Sequence, residues 1–228
     1  MTQVTDTSRY KVLDHASRPV AEYALMLASH PQFEEPLAPR ESLLYIRRTL
    51  EAAGRLSSIS GSGMVWVGIL ALAAVLVNYA FTGAPWERHP LPALSVWAAL
   101  LVISAGITAA TMAAKARRAG QPFWSPVLRK ALWSLSAPMA CGAILSAALL
   151  LHSTPALLPI AWLACYGAAL TSAGVVSVSP VRWMGLSFLT LALASLLLPP
   201  GSGLAVLALG FGGLHLAFGG YIFWRHDG

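Results

Sequence analysis

The chain has 228 residues, of which 57% are hydrophobic and 11% charged, with a formal net charge of +6. So apolar a composition excludes an ordinary soluble domain and makes lipid the expected solvent. The positive charge is no sign of a nucleic-acid partner, because the basic residues sit beside apolar runs and form no soluble basic face with interleaved aromatics.

Of the nine acids only Glu87 and Asp227 follow Ser58, which divides the chain into a cytoplasmic N-terminal region, 1–58, and a membrane domain, 59–228. Thr2 to Arg18 are polar and mixed in charge, unlike a secretory signal peptide, so this region is expected to be retained. Ser17-Arg18-Pro19 opens a short helix over Val20 to Ser29, and Pro31, Pro36 and Pro39 turn His30 to Pro39 into a loop. From Glu41 to Leu56 the period is helical: Leu43, Ile46, Leu50 and Ala53 share one face, opposite Glu41, Arg48, Glu51 and Arg55. This amphipathic helix can lie on anionic headgroups or pack on cytoplasmic loops or a partner.

A helix rises about 1.5 Å per residue, so crossing about 30 Å of hydrocarbon takes about 20 apolar residues. Six segments are expected to do so: Met64 to Phe81, Leu91 to Ala114, Ala131 to Leu151, Ala156 to Val178, Trp183 to Leu198 and Leu204 to Trp224. The fifth is the shortest. Lys115, Arg117, Arg118, Arg129 and Lys130 between the second and third segments mark that loop as cytoplasmic. Arg47, Arg48, Arg55, Arg182 and Arg225 then fall on the same side, and Arg88 beside Glu87 is left outside. The expected fold is all-α, a polytopic bundle of six transmembrane helices behind a cytoplasmic amphipathic helix, with both termini cytoplasmic. Pro138 predicts a kink in the third segment.

Three motifs carry a resemblance: Tyr45-Ile46-Arg47-Arg48-Thr49-Leu50-Glu51, Lys115-Ala116-Arg117-Arg118-Ala119-Gly120-Gln121-Pro122, and Gly210-Phe211-Gly212-Gly213-Leu214-His215. Together they resemble a family of uncharacterised bacterial multi-helix integral membrane proteins, from about Leu43 to the C-terminus. The resemblance implies a bacterial inner membrane location and no known activity.

His215 is the candidate site residue, because it falls near the middle of the sixth segment among Gly210, Gly212, Gly213, Gly219 and Gly220. An imidazole beside missing side chains can ligate a haem or chlorophyll metal or donate to a quinone. The alternative is that the glycines let helices approach and His215 hydrogen-bonds across the contact. His152 lies at the outer end of the third segment, too far in depth to pair with it. Asn78, Thr108, Thr111, Ser134, Ser136, Tyr166, Thr171 and Ser172 read as helix-joining polar residues. Cys141 and Cys165, without C-x-x-C spacing, read as small core residues and not as a disulfide or metal site.

The six segments contain no Asp, Glu, Lys or Arg, which disfavours an ion-coupled carrier. No H-E-x-x-H, G-x-S-x-G or Walker loop is present, so no catalytic residue, metal or enzymatic activity is expected. The leading expectation is a non-enzymatic accessory, structural or regulatory subunit that associates with other membrane subunits or with copies of itself. A carrier or channel for a small neutral or hydrophobic solute is the first alternative, and a haem- or chlorophyll-binding subunit using His215 the second.

Overall fold

The computed structural model describes Leu43, residues 59–83 and residues 86–225. The expected N-terminal helices therefore lie outside the described residues, except for Leu43, which is helical and exposed. Every helix below belongs to the unit Ala52–Gly228, and no strand occurs among the described residues.

Among the described residues from 59 onward six helices follow one another: α1 (Gly61–Thr82), α2 (Pro90–Arg118), α3 (Pro126–Leu151), α4 (Leu158–Ala173), α5 (Ser179–Ser195) and α6 (Gly203–Arg225). Single 3₁₀ turns lengthen α4 to Pro155–Val176. All but α5 are long and apolar enough to cross a membrane, whereas α5 has 17 residues. Several ends extend past the apolar runs for local reasons. Ser125 caps α3, its hydroxyl accepting from the Leu128 N–H at 3.1 Å, and Pro126 at the first position starts the helix five residues before the first expected position, Ala131. Lys115, Arg117 and Arg118 suit the negative C-terminal end of α2 and lie within it. Helix α3 runs unbroken through Pro138.

Contacts sort the helix termini into two ends. At one end Lys115 Nζ donates to the Ile59 carbonyl at 3.2 Å, and Met112, Leu128, Ala131 and Ala173 form one buried cluster. At the other, Trp86, Ala93, Leu158 and Leu204 cluster together. The first end holds Lys115, Arg117, Arg118, Arg129, Lys130, Arg182 and Arg225; the second holds Arg88 with Glu87.

Glycines draw two helix pairs together. On α1, a Cβ at Gly61 would collide with the Phe223 backbone, and one at Gly68 would stand 3.0 Å from the Gly212 carbonyl. On the facing α6, one at Gly219 would stand 2.8 Å from the Val65 nitrogen, and one at Gly212 would meet Leu72. Both glycine pairs are spaced by seven residues, two turns at 3.5 per turn, so each helix keeps the same stripe against its antiparallel neighbour. The α4/α5 pair repeats the device, with Gly167 against the Gly185 carbonyl and Gly174, seven residues on, against the Arg182 backbone. Between apolar helices in lipid there is no hydrophobic driving force, so such backbone approach, with its dispersion and Cα–H contacts, is what holds them.

Burial follows these seams. Against other helices, 39% of the apolar 18-residue stretch of α6 and 33% of that of the lengthened α4 are buried, but 11% of that of α2 and 6% of that of α3. Helix α2 leans chiefly on α1, and α3 on α4.

Candidate functional site

Between Ala208 and Leu214 α6 is π-helical, and three of the seven residues are glycine. A π-helical stretch closes i→i+5 hydrogen bonds and is wider than an α-turn; such stretches are uncommon and often flank functional positions. His215 follows at once, 3% exposed. The glycines that suggest open space beside it are filled by neighbours: a Cβ at Gly210 would lie 2.5 Å from Leu163 Cδ2, and Gly212 faces Leu72. Gly213 and Gly220 have room.

The His215 ring faces α4 and α5. Its Nε2 lies 2.9 Å from the Tyr166 hydroxyl, and the ring stands 5.7 Å, edge-on, from Phe188 and 6.2 Å, stacked, from Phe211. Tyr166 in turn meets Phe188 at 5.0 Å and Phe211 at 5.2 Å. Nδ1 is buried and makes no hydrogen bond, so the Tyr166 hydroxyl on Nε2 is the ring's polar partner. A polar pair in apolar surroundings is favoured because each group left alone costs about 1–3 kcal/mol.

The aromatic contacts continue outward. Phe211 meets Trp97 of α2 at 6.0 Å, and Trp97 meets Trp162 of α4 at 5.9 Å. Trp162 Nε1 donates to Ser146 Oγ of α3 at 2.8 Å, and Ser146 donates to the Gly142 carbonyl at 2.7 Å. One chain of rings and hydroxyls therefore ties α3 and α2 to the interior at the end opposite the basic cluster.

A metal approaching His215 would have to displace the Tyr166 hydroxyl from Nε2 or expose the buried Nδ1. Among the described residues no group of three His, Cys, Asp or Glu side chains is placed to hold a metal ion. His152 sits exposed at the end of α3 away from the basic cluster. Thr111, Ser134, Ser136 and Thr171 donate to carbonyls of their own helices, as hydroxyls in membrane helices do. Cys165 packs on Gly142, but Cys141 faces outward and not into the core.

The sequence marks Tyr166 and His215 separately and does not pair them. Depth along the helices was the usable signal: counted from Pro155 and Gly203, which start at the same end, the two residues stand at nearly equal height. Asn78 likewise reaches another helix, its Nδ2 3.5 Å from the Ala93 carbonyl while Thr82 donates to its Oδ1 at 3.0 Å. Comparison with known protein families, curated proteins and solved structures finds no match to this chain.

Proposed function

We propose that this protein is a non-enzymatic accessory or regulatory subunit of a bacterial inner-membrane assembly, associating with other subunits or with copies of itself through the outer face of α2. The observation that carries this reading is a spacing. Gly61 and Gly68, Gly167 and Gly174, and Gly212 and Gly219 each seat a neighbouring helix at seven-residue intervals. Ala99 and Gly106 of α2 stand at the same interval and Ala110 one turn further, all exposed, with no atom within 4 Å of a Cβ placed on Gly106. Leu, Val and Ile serve as well against lipid, so a small-residue stripe on an outward face favours close approach by another helix.

Six crossings with both termini on the cytoplasmic side fit this role. Helix α5 adjoins α4 from Arg182, beside Gly174, to Phe188, beside Gly167, and α6 starts at the opposite end. Its 17 residues reach about 25 Å, and Leu196 to Leu198 continue the apolar run. Seven cations at the end that receives α2, α4 and α6 argue for that end as the cytoplasmic one. The N-terminal amphipathic segment and the basic loop are further contacts for a partner.

The test is purification of the full chain from its native membrane in mild detergent, with mass spectrometry of what is retained. Stoichiometric companions or a defined oligomer, lost in Gly106→Leu, are expected. A solitary protein that carries flux of a small neutral solute in proteoliposomes would replace this reading with the carrier.

A further inference from the structure

Consecutive helices of this bundle pack along one another in the pairs α1/α2, α3/α4 and α4/α5, but α2 and α3 do not. Met112 clusters with Leu128 and Ala131 near the basic end, and near the other Leu149 and Leu150 pack on the cluster that joins Trp97 and Leu100 to Trp86, Leu158 and Leu204. Along their length α2 and α3 are not packed on one another, α2 leaning on α1 and α3 on α4. Ala98, Ala105 and Ala109 lie on the same flank of α2 as Met112, at spacings of seven, four and three, so the α2 side of the interval between α2 and α3 is shallow and apolar.

Below the interval, at the turn 119–125 and its borders, stand Arg117, Arg118, Arg129 and Lys130, all exposed. No acidic residue is described at that end of the bundle. Phe123 and Trp124 are exposed in the turn and Trp133 two helical turns into α3, the aromatic pattern of a headgroup boundary. By contrast the α4/α5 turn at the same end carries Arg182 alone and closes tightly on Gly174. Four cations at headgroup height below an apolar interval open to the bilayer match one amphiphile: a negative headgroup with an acyl chain.

We propose that the α2/α3 corner binds an anionic phospholipid, its phosphate at Arg117, Arg118, Arg129 and Lys130 and an acyl chain in the interval beside Ala105 and Ala109. The positive N-terminal end of α3 adds to the attraction. The chain fills a space that neither helix fills, so the lipid joins α2 to α3. This site is separate from the outward stripe of Ala99, Gly106 and Ala110, and it stands or falls independently of the subunit role.

The experiment is native mass spectrometry of the full chain in nonionic detergent, titrated with phosphatidylglycerol or phosphatidylcholine of the same acyl chains. Phosphatidylglycerol is expected to be retained at least about tenfold better, from about fivefold per engaged cation. The variant Arg117→Gln/Arg118→Gln/Arg129→Gln/Lys130→Gln is expected to bring the two lipids to parity. Arg182→Gln/Arg225→Gln, at the same end but outside the corner, is expected to keep the preference. Ala105→Leu, which crowds the interval and spares the cations, is expected to lower retention several-fold, and millimolar inorganic phosphate to leave the lipid bound. Equal retention of both lipids by the natural chain, or equal loss in the two charge variants, overturns the site. Displacement by phosphate alone, or no effect of Ala105→Leu, overturns the seating of the acyl chain.

Discussion

The seam glycines of α1, α4, α5 and α6 and the glycine of α2 do opposite things with the same missing side chain. Gly61, Gly185 and Gly219 each lie so near a neighbouring backbone that a Cβ has no place, while Gly106 meets nothing. Two regimes coexist in one bundle: an interior where helices touch backbone to backbone, and a periphery, α2 and α3, where most of the surface is left to lipid or to other molecules. In a solvent as apolar as the side chains, burial cannot sort inside from outside as it does in water. Close packing does, and glycine is the residue that permits it.

Replacing glycine by alanine at both kinds of site breaks the comparison most directly. Gly185→Ala puts a Cβ 2.5 Å from the Thr171 nitrogen, and Gly219→Ala puts one 2.8 Å from the Val65 nitrogen; backbone cannot rotate aside. Each is expected to destabilise by about 1–3 kcal/mol, as overpacking does, seen as a lower midpoint in detergent unfolding. Gly106→Ala has open space and a better helix former, so its midpoint is expected to stay or rise by up to about 1 kcal/mol. If all three behave alike, the seams do not hold the bundle.

Gly106→Leu sharpens the outer half of the contrast. The unfolding midpoint of the isolated protein is expected to move by less than about 0.5 kcal/mol, as for surface substitutions, while co-purification of companions or self-association falls at least several-fold. Retained association with an unchanged midpoint would show that α2 meets only lipid.

Much of this was legible in the sequence, and for identifiable reasons. Apolar runs of about 20 residues and the basic residues between them depend on bilayer thickness and charge, both local, so α1, α2, α3, the lengthened α4 and α6 were found within a few residues. Helix ends moved where capping by Ser125 and Pro126 outweighed hydropathy. The partners of Tyr166 and His215 were hidden, because they depend on which helices are neighbours in space, and runs of Ala, Leu and Gly carry little of that information. The π-helical stretch before His215 left no sign beyond its glycines.

The Tyr166–His215 pair sits inside the close-packed region, and its strength tests whether polar contacts add to what the glycines already secure. Tyr166→Phe leaves Nε2 without its hydrogen-bond partner, and His215→Phe leaves the hydroxyl without its own. Interhelical hydrogen bonds in membranes are worth on average about 0.6 kcal/mol and at most about 1.7 kcal/mol by double-mutant cycle. A coupling in that range is expected, with the double variant less destabilised than the two single losses combined, because removing both partners strands neither. Additive losses would assign the effect to ring packing with Phe188 and Phe211.

The smallest effect belongs at the periphery. Ser146 is the acceptor through which Trp162 of α4 holds α3, and the apolar 18-residue stretch of α3 is only 6% buried. Ser146→Ala keeps the helix and removes the acceptor, leaving the indole N–H unpaired; Ser146→Thr restores a hydroxyl on the same Cβ. The expected cost of Ser146→Ala is about 0.6 kcal/mol, recovered in Ser146→Thr. Because α3 rests almost wholly on α4, the loss should be local, with faster amide exchange in α3 near Gly142 to Leu151 and no change in α6. Exchange that rises equally in both helices would mean that α3 is part of the close-packed unit, and the division between interior and periphery would have to be redrawn.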